Sequence, residues 1–220
     1  MQEPVDASAL EALRSVLERS RQIGFLGPGD IDDHIANGAA FLRVLHLCAP
    51  PRAVPTAIRV LDLGSGGGVP GLVVAVLRPD IDLVFLDAAR RRTDFLERAT
   101  HELGVSTSTH VLRGRAEEVA RDLRWRGAFD VVTARSFGRP AVTLECALGF
   151  LRSPGGSLLV SEPPDDDDER WPVERLAEIG VRARSTVHEG ASSIRCIDVV
   201  AAVPEWIPRR VGVPSRRPLF

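Results

Sequence analysis

Hydrophobic and polar positions change period several times along the chain, and each change marks an element. Leu10, Leu13, Val16 and Leu17 recur at three- and four-residue spacing, which predicts an amphipathic helix from Val5 to Arg21. Gly24 to Asp30 interrupts it, with Gly27, Pro28 and Gly29 as chain breakers. Asp30 is suited to cap a second helix reaching Leu47, whose Ile31, Ile35, Ala39, Leu42 and Leu45 share a face. Pro50, Pro51 and Pro55 predict a stiff connector.

From Ile58 onward, short apolar runs alternate with helical patterns. Strands are predicted at Ile58–Leu63, Leu83–Leu86, His110–Leu112, Phe129–Ala134 and Ser157–Val160. Between them lie predicted helices at Val69–Leu77, Arg90–Leu103, Glu117–Leu123 and Ala141–Leu151. This alternation is the signature of βαβ units and of an α/β, doubly wound, mostly parallel sheet. The strands are almost continuously apolar, as expected when helices cover both faces. Asp165 to Glu169 are five consecutive acids and read as an exposed loop. After a short helix at Pro172–Ile179, Val181–His188 and Ile194–Val203 read as two strands with no helix between them, a closing antiparallel hairpin. The expected organisation is an N-terminal helical extension (1–50), a ligand-binding domain (56–207) and a tail (208–220).

Composition narrows the function classes. The chain has 220 residues, 44% of them hydrophobic, enough for a substantial core and too apolar for a disordered chain. Its formal net charge of −2 excludes a globally basic nucleic-acid binder while leaving local patches open. All 28 basic residues are arginine, so any mechanism needing a catalytic or P-loop lysine is excluded. Cys48, Cys146 and Cys196 are far apart and form neither a zinc pattern nor a disulfide framework. The five histidines show no metal-ligand spacing, and no metal is expected. No secretory signal and no membrane-spanning run is seen, so a cytoplasmic, reduced protein is expected.

The segment richest in chemistry is Val60-Leu-Asp-Leu-Gly-Ser-Gly-Gly-Gly-Val-Pro-Gly71, where the first strand turns into the first helix of the sheet. Ligands bind at that edge of open α/β sheets, and glycines let the backbone approach them closely. Gly66, Gly68 and Gly71 satisfy GxGxxG, so a dinucleotide oxidoreductase has to be weighed. Asp62, at the strand end, would repel a pyrophosphate but suits a ligand carrying an ammonium and a sulfonium. Asp87 ends the second strand, where an acid accepts hydrogen bonds from ribose hydroxyls. Together Asp62 and the loop favour S-adenosylmethionine over NAD.

The stretch Asp62-Leu-Gly-Ser-Gly-Gly-Gly-Val-Pro-Gly71 resembles the motif of the RsmG (GidB) family, bacterial methyltransferases of small-subunit ribosomal RNA. The likeness continues at His34-Ile35, Leu86-Asp-Ala, Arg92-Thr-Asp-Phe-Leu96, His101-Glu-Leu-Gly104, Gly114-Arg-Ala-Glu-Glu118, Phe129–Phe137 and the tail Pro208–Pro218, covering roughly 30–137 and 207–219. It implies a class I, Rossmann-like methyltransferase fold and methylation of N7 of a guanine in 16S ribosomal RNA. It also implies that Gly64 and Val69 line the methionine and ribose, with Ser65, Gly66 and Gly68 in the same loop. Asp87 would hold the ribose, Ala116 and Glu117 would flank adenine, and Arg135 would stand beside the cofactor as the candidate catalytic residue.

Two departures bear on the substrate. Gly24-Phe-Leu-Gly-Pro28 stands where members carry Asn-Leu-Thr, and Val160-Ser-Glu-Pro163 replaces a Leu-Lys-Gly type sequence. Added acids near that edge disfavour phosphate. This keeps open a paralogue acting on a small molecule or another RNA, and a non-catalytic S-adenosylmethionine-binding protein. No cysteine follows a proline, as cytosine C5 methylation would need, and no Asn/Asp-Pro-Pro-aromatic motif follows strand four, as exocyclic amine methylation commonly uses. Guanine N7 carries a free lone pair and needs no base, which agrees with the family's reaction. Phe137 is a candidate for stacking on the target base, Arg135 and Arg139 for phosphate or the cofactor carboxylate, and Arg209 and Arg210 for RNA, with Arg216 and Arg217 adding charge. Arg113 and Arg115 read as solvated surface.

Overall fold

A computed structural model describes residues 6–48, 58–164 and 168–220. The proline connector, the residues before Asp6 and the first three acids of the acidic run lie outside them. The chain begins with two helices, α1 (Ala7–Gln22) and α2 (Ile31–Cys48). Asp6 caps α1, its Oδ1 accepting from the Ser8 N–H at 3.1 Å. Five strands and their crossovers follow: β1 (Arg59–Leu63), α3 (Gly71–Leu77), β2 (Asp82–Asp87), α4 (Arg90–Glu102), β3 (Thr109–Arg113), α5 (Ala116–Val119), β4 (Val131–Ala134), α6 (Pro140–Leu148) and β5 (Ser157–Glu162). The C-terminal part holds α7 (Val173–Glu178), β6 (Val181–Ala183), β7 (Val187–Glu189), β8 (Ser192–Val199) and α8 (Val213–Arg216).

The eight strands form one sheet in the order β3-β2-β1-β4-β5-β8-β6, with β7 also pairing with β8. β1 to β5 run parallel, whereas β8 is antiparallel to β5, β6 and β7. The closing hairpin differs from its expected form in two respects. Its first arm is broken at 184–186 into β6 and β7, where it carries one residue more than β8 between the pairs Ala183–Ile197 and Val187–Ile194, a bulge at which Arg184 Nε meets Asp198 Oδ2 at 2.7 Å. β8 also ends at Val199 rather than Val203.

Successive residues of each strand point to opposite faces, and two cores result. On one face Val60, Leu83, Phe85 and Val131 pack with Leu13, Val16 and Leu17 of α1, Phe41 and Val44 of α2, α3, and Phe95 and Leu96 of α4. On the other, Leu61, Leu63, Val84 and Val132 pack with Leu144, Ala147 and Leu148 of α6 and Leu176 of α7. The N-terminal helices are therefore part of the sheet's own core. The tail is also packed: Arg209 folds back on α6, and its guanidinium meets Glu145, which is fully buried, at 2.6 Å.

Candidate functional site

Because β1 to β4 are parallel and adjacent, their carboxyl ends lie on one edge, and the loops leaving them build one groove. Three adjoining cavities run along it. The first, about 260 Å³, lies between Phe25–Gly27 and the loop Gly64–Gly67, with Val69, Arg92, Arg135 and Ser136. The second, about 200 Å³, shares Gly64, Arg92 and Ser136 with it and adds Asp87, Ala88, Ala116 and Phe137. The third, about 240 Å³, continues past Ala116 and Glu117 to Cys146 and to Ser215 in the tail.

The glycine loop is shaped by what touches it. Gly64 sits at φ +69°, and any Cβ there would run into the Phe137 ring. A Cβ on Gly67 would lie 2.7 Å from the Phe25 carbonyl oxygen, so α1 and its following turn press directly on the loop. Ser20 Oγ of α1 donates to the Gly67 carbonyl at 2.9 Å. Ser65 works as a clamp: its hydroxyl donates to the Asp62 carbonyl at 2.8 Å and accepts from the Leu86 N–H at 3.1 Å. Ser65 and Gly66 line the first cavity, while Gly68, at φ +97°, packs towards Leu72. Ser136, at φ +54°, is the one non-glycine residue with positive φ among the described residues, and it separates Arg135 from Phe137. A side chain held in that region costs on the order of 1 kcal/mol, and such strain concentrates at functional sites.

Four charged groups define the electrostatics. Asp62 is 1% exposed; its Oδ1 accepts from Thr133 Oγ1 at 2.9 Å, while Oδ2 is buried without a hydrogen-bond partner. Burial pushes its carboxyl up to about 6, against the opposing hydrogen bonds. Asp87, at the end of β2, accepts from the Gly66 N–H at 3.0 Å and the Ala89 N–H at 2.8 Å, and Arg92 stands 3.5 Å away. Glu117 is buried, which disfavours its charge, but the Gly212 N–H at 3.0 Å and the neighbouring Arg115 outweigh this and hold it below the usual carboxylate range. Arg135 is desolvated, which lowers its pKa, partly offset by Asp62. Its Nη2 donates to His34 Nδ1 at 2.9 Å, and its Nη1 is buried without a partner.

The orphaned atoms test the fit of the expected ligand. Arg135 Nη1 is a buried donor without a partner in the first cavity, at the end formed by Gly64–Gly66, whereas Asp62 lines none of the three cavities and its carboxylate lies behind the loop, against Gly71. The amino-acid end of S-adenosylmethionine carries a carboxylate complementary to the Arg135 donor. The groove then passes Asp87, where a ribose would lie, and reaches the cavity of Ala116 and Glu117.

Not every sequence candidate lies on this groove. Arg139 is exposed at the start of α6, and Arg210 is exposed in the tail. Arg209 is held by Glu145 and by the Arg217 carbonyl, so its guanidinium serves the fold. Arg115, which sequence places on solvated surface, lines two of the cavities. Phe25, Leu26, Arg92, Ser136 and Ser215 also line the groove; each falls within a stretch compared with the RsmG family, but none is singled out there as a site residue. Among the described residues no group of three or more histidine, cysteine or acidic side chains is placed to hold a metal, and no helix is long and apolar enough to cross a membrane.

Comparison with known proteins gives the same direction from sequence. Residues 33–175 match the family described as rRNA small subunit methyltransferase G. The Ribosomal RNA small subunit methyltransferase G of Streptococcus thermophilus is 33% identical over 170 residues, 74% of this chain and 70% of that protein. The protein of the same name from Parasynechococcus marenigrum is 29% identical over 224 residues, 99% of this chain and 90% of its own. Among solved structures, an O-methyltransferase from Bacillus cereus in complex with SAH has a TM-score of 0.58 at 14% identity, covering 90% of this chain and 92% of that one. At that identity the likeness speaks for the fold alone, a class I methyltransferase fold. With the sheet order, the groove at its carboxyl edge and a family match across most of the chain, this protein belongs to the rRNA small subunit methyltransferase G family.

Proposed function

We propose that this protein transfers the methyl group of S-adenosylmethionine to N7 of a guanine in 16S ribosomal RNA of the small subunit, in the cytoplasm. Family membership supports the reaction, and the unpartnered Nη1 of Arg135 at the end of the groove supports the cofactor's orientation. Residues 56–207 supply the catalytic body. Asp62 neutralises the ammonium across the loop, and Arg135 offers Nη1 to the carboxylate. Gly64, Ser65, Gly66 and Val69 lie along the same end, Asp87 accepts from the ribose hydroxyls, and Ala116 and Glu117 flank the adenine.

When bound, S-adenosylmethionine supplies a methyl on a positively charged sulfonium, which the N7 lone pair displaces from sulfur in line. N7 has no proton to lose, so the chain need only position the reactants and exclude water. Arg135 is the catalytic candidate in this sense: it fixes one reactant at the mouth of the site. Phe137, packed over Gly64 and shared by two cavities, is placed to stack on an unstacked base. RNA phosphates are left to exposed Arg139, Arg210, Arg216 and Arg217.

Labelled methyl transfer tests this reading against small ribosomal subunits, naked 16S RNA and a metabolite extract. Label on a guanine of the RNA, released as 7-methylguanine on mild hydrolysis, is expected. Label only in the metabolite fraction would refute the RNA assignment, and S-adenosylhomocysteine giving no heat in a titration while NAD binds would refute the cofactor.

A further inference from the structure

His34 lies 101 residues before Arg135, on the first turn of α2, and is 5% exposed. Its ring makes two contacts: Nδ1 with Arg135 Nη2 at 2.9 Å, and Nε2 with the Gly27 carbonyl at 3.2 Å. A guanidinium only donates, so Nδ1 must offer its lone pair. A carbonyl only accepts, so Nε2 must carry the proton. The geometry therefore fixes one neutral tautomer. Protonating Nδ1 would set N–H against N–H beside a second positive charge.

Both ends of this relay belong to the first cavity, which Gly27 and Arg135 line from opposite sides. With Nη2 spent on His34, the guanidinium cannot rotate freely, and Nη1 is the buried donor left without a partner. The charged neighbours of His34 are Arg135 from the β4 loop, Asp33 on its own helix, and Arg21, which itself donates to the Gly29 carbonyl at 3.0 Å from α1. Burial and Arg135 lower the pKa of His34, while the Gly27 hydrogen bond and Asp33 oppose them, which keeps the ring neutral near pH 7.

We propose that His34 is a positioning residue: a neutral imidazole that holds Arg135 with Nη1 facing the methionine end of the groove and ties it to the Phe25–Gly27 wall. This rests on the cofactor reading above, and it gives the N-terminal helices a part in the chemistry beyond packing.

Two measurements test it separately from that reading. In the first, the His34 ring is titrated by NMR with no ligand present. The wild-type ring is expected in the Nε2–H tautomer, and R135M, by removing the facing cation and donor, should move its midpoint up by about one pH unit. An Nδ1–H tautomer, or a midpoint unmoved by R135M, overturns the proposal whether or not the cofactor reading holds. The second is calorimetric titration with S-adenosylhomocysteine at pH 7.5. H34A should weaken binding roughly tenfold, as expected when a hydrogen bond to a charged group is removed. H34N, whose Oδ1 falls near the Nδ1 position, should recover most of that affinity, and H34A added to R135M should cost little more than R135M alone. Losses that multiply in the double variant, or H34N no better than H34A, overturn it.

Discussion

Asp62 carries the sharpest consequence of the site at the scale of single residues. Its carboxyl is raised to about 6 from an ordinary value of 3.8, so the folded protein binds this proton more tightly than the unfolded chain does. Stability from this group is therefore present at acid pH and is lost as pH rises through about 4 to 6. Above pH 6 the buried charge is a standing cost of roughly 2–3 kcal/mol, relieved by a cationic ligand. D62N should raise the melting temperature of the ligand-free protein by several degrees at pH 7.5 while abolishing S-adenosylhomocysteine binding; scanning calorimetry and titration read the two effects. Wild-type affinity should tighten as pH rises from 5 to 7, in step with ionisation of this group. D87A should weaken the same ligand by about 1–3 kcal/mol, since a buried ribose hydroxyl would be left unpaired. Unchanged affinity would mean that the ribose is held elsewhere.

Among the elements, the tail matters because it is an integral part of the structure. R209A removes the guanidinium from fully buried Glu145, and breaking such a pair costs about 3–5 kcal/mol, somewhat less here because Arg209 is partly exposed and the residue 209 N–H still donates to Glu145. R210A, on the exposed side of the same segment, should change stability by less than about 0.5 kcal/mol, and denaturant melts of the two variants separate the roles. The elements themselves are largely legible in the sequence. Short, mostly apolar runs such as Leu83–Leu86 and Val131–Ala134, set between helical patterns, read as strands covered on both faces, and the glycine cluster after Leu63 reads as a loop. The break between β6 and β7 is not legible, because it is a bulge defined by the register of this arm on β8, which local sequence does not record. The relay from Arg135 to His34 joins the β4 loop to the first turn of α2, 101 residues apart, and Arg115 is brought to the groove only by the register of β3 on β2. Local pattern records periodicity and breakers; it does not record which distant loops the sheet order sets side by side. Glu162, where the resembled family has a lysine-bearing sequence, is likewise explained only in three dimensions: it accepts from buried Trp171 at 2.8 Å and pairs with Arg170.

For the whole molecule, a net charge of −2 disguises how RNA is to be met. Binding must come from a few exposed arginines, so it should be weak in high salt and steeply salt-dependent. Replacing Arg210, Arg216 and Arg217 together should lower the slope of log affinity against log salt by about 0.7–0.9 for each phosphate no longer neutralised, with S-adenosylhomocysteine affinity unchanged. Fluorescence anisotropy on a 16S fragment reads the slope. An unaltered slope would move the RNA-binding face away from the tail.

The last strand to be made is an inner one. β8, buried along its whole length, slots between β5 and β6, and Gly212 reaches Glu117 further still. A chain ending before Ser192 would lack β8 and leave the β5 edge unpaired, so such a truncation is expected to be cleared by proteolysis rather than persist as a shortened enzyme.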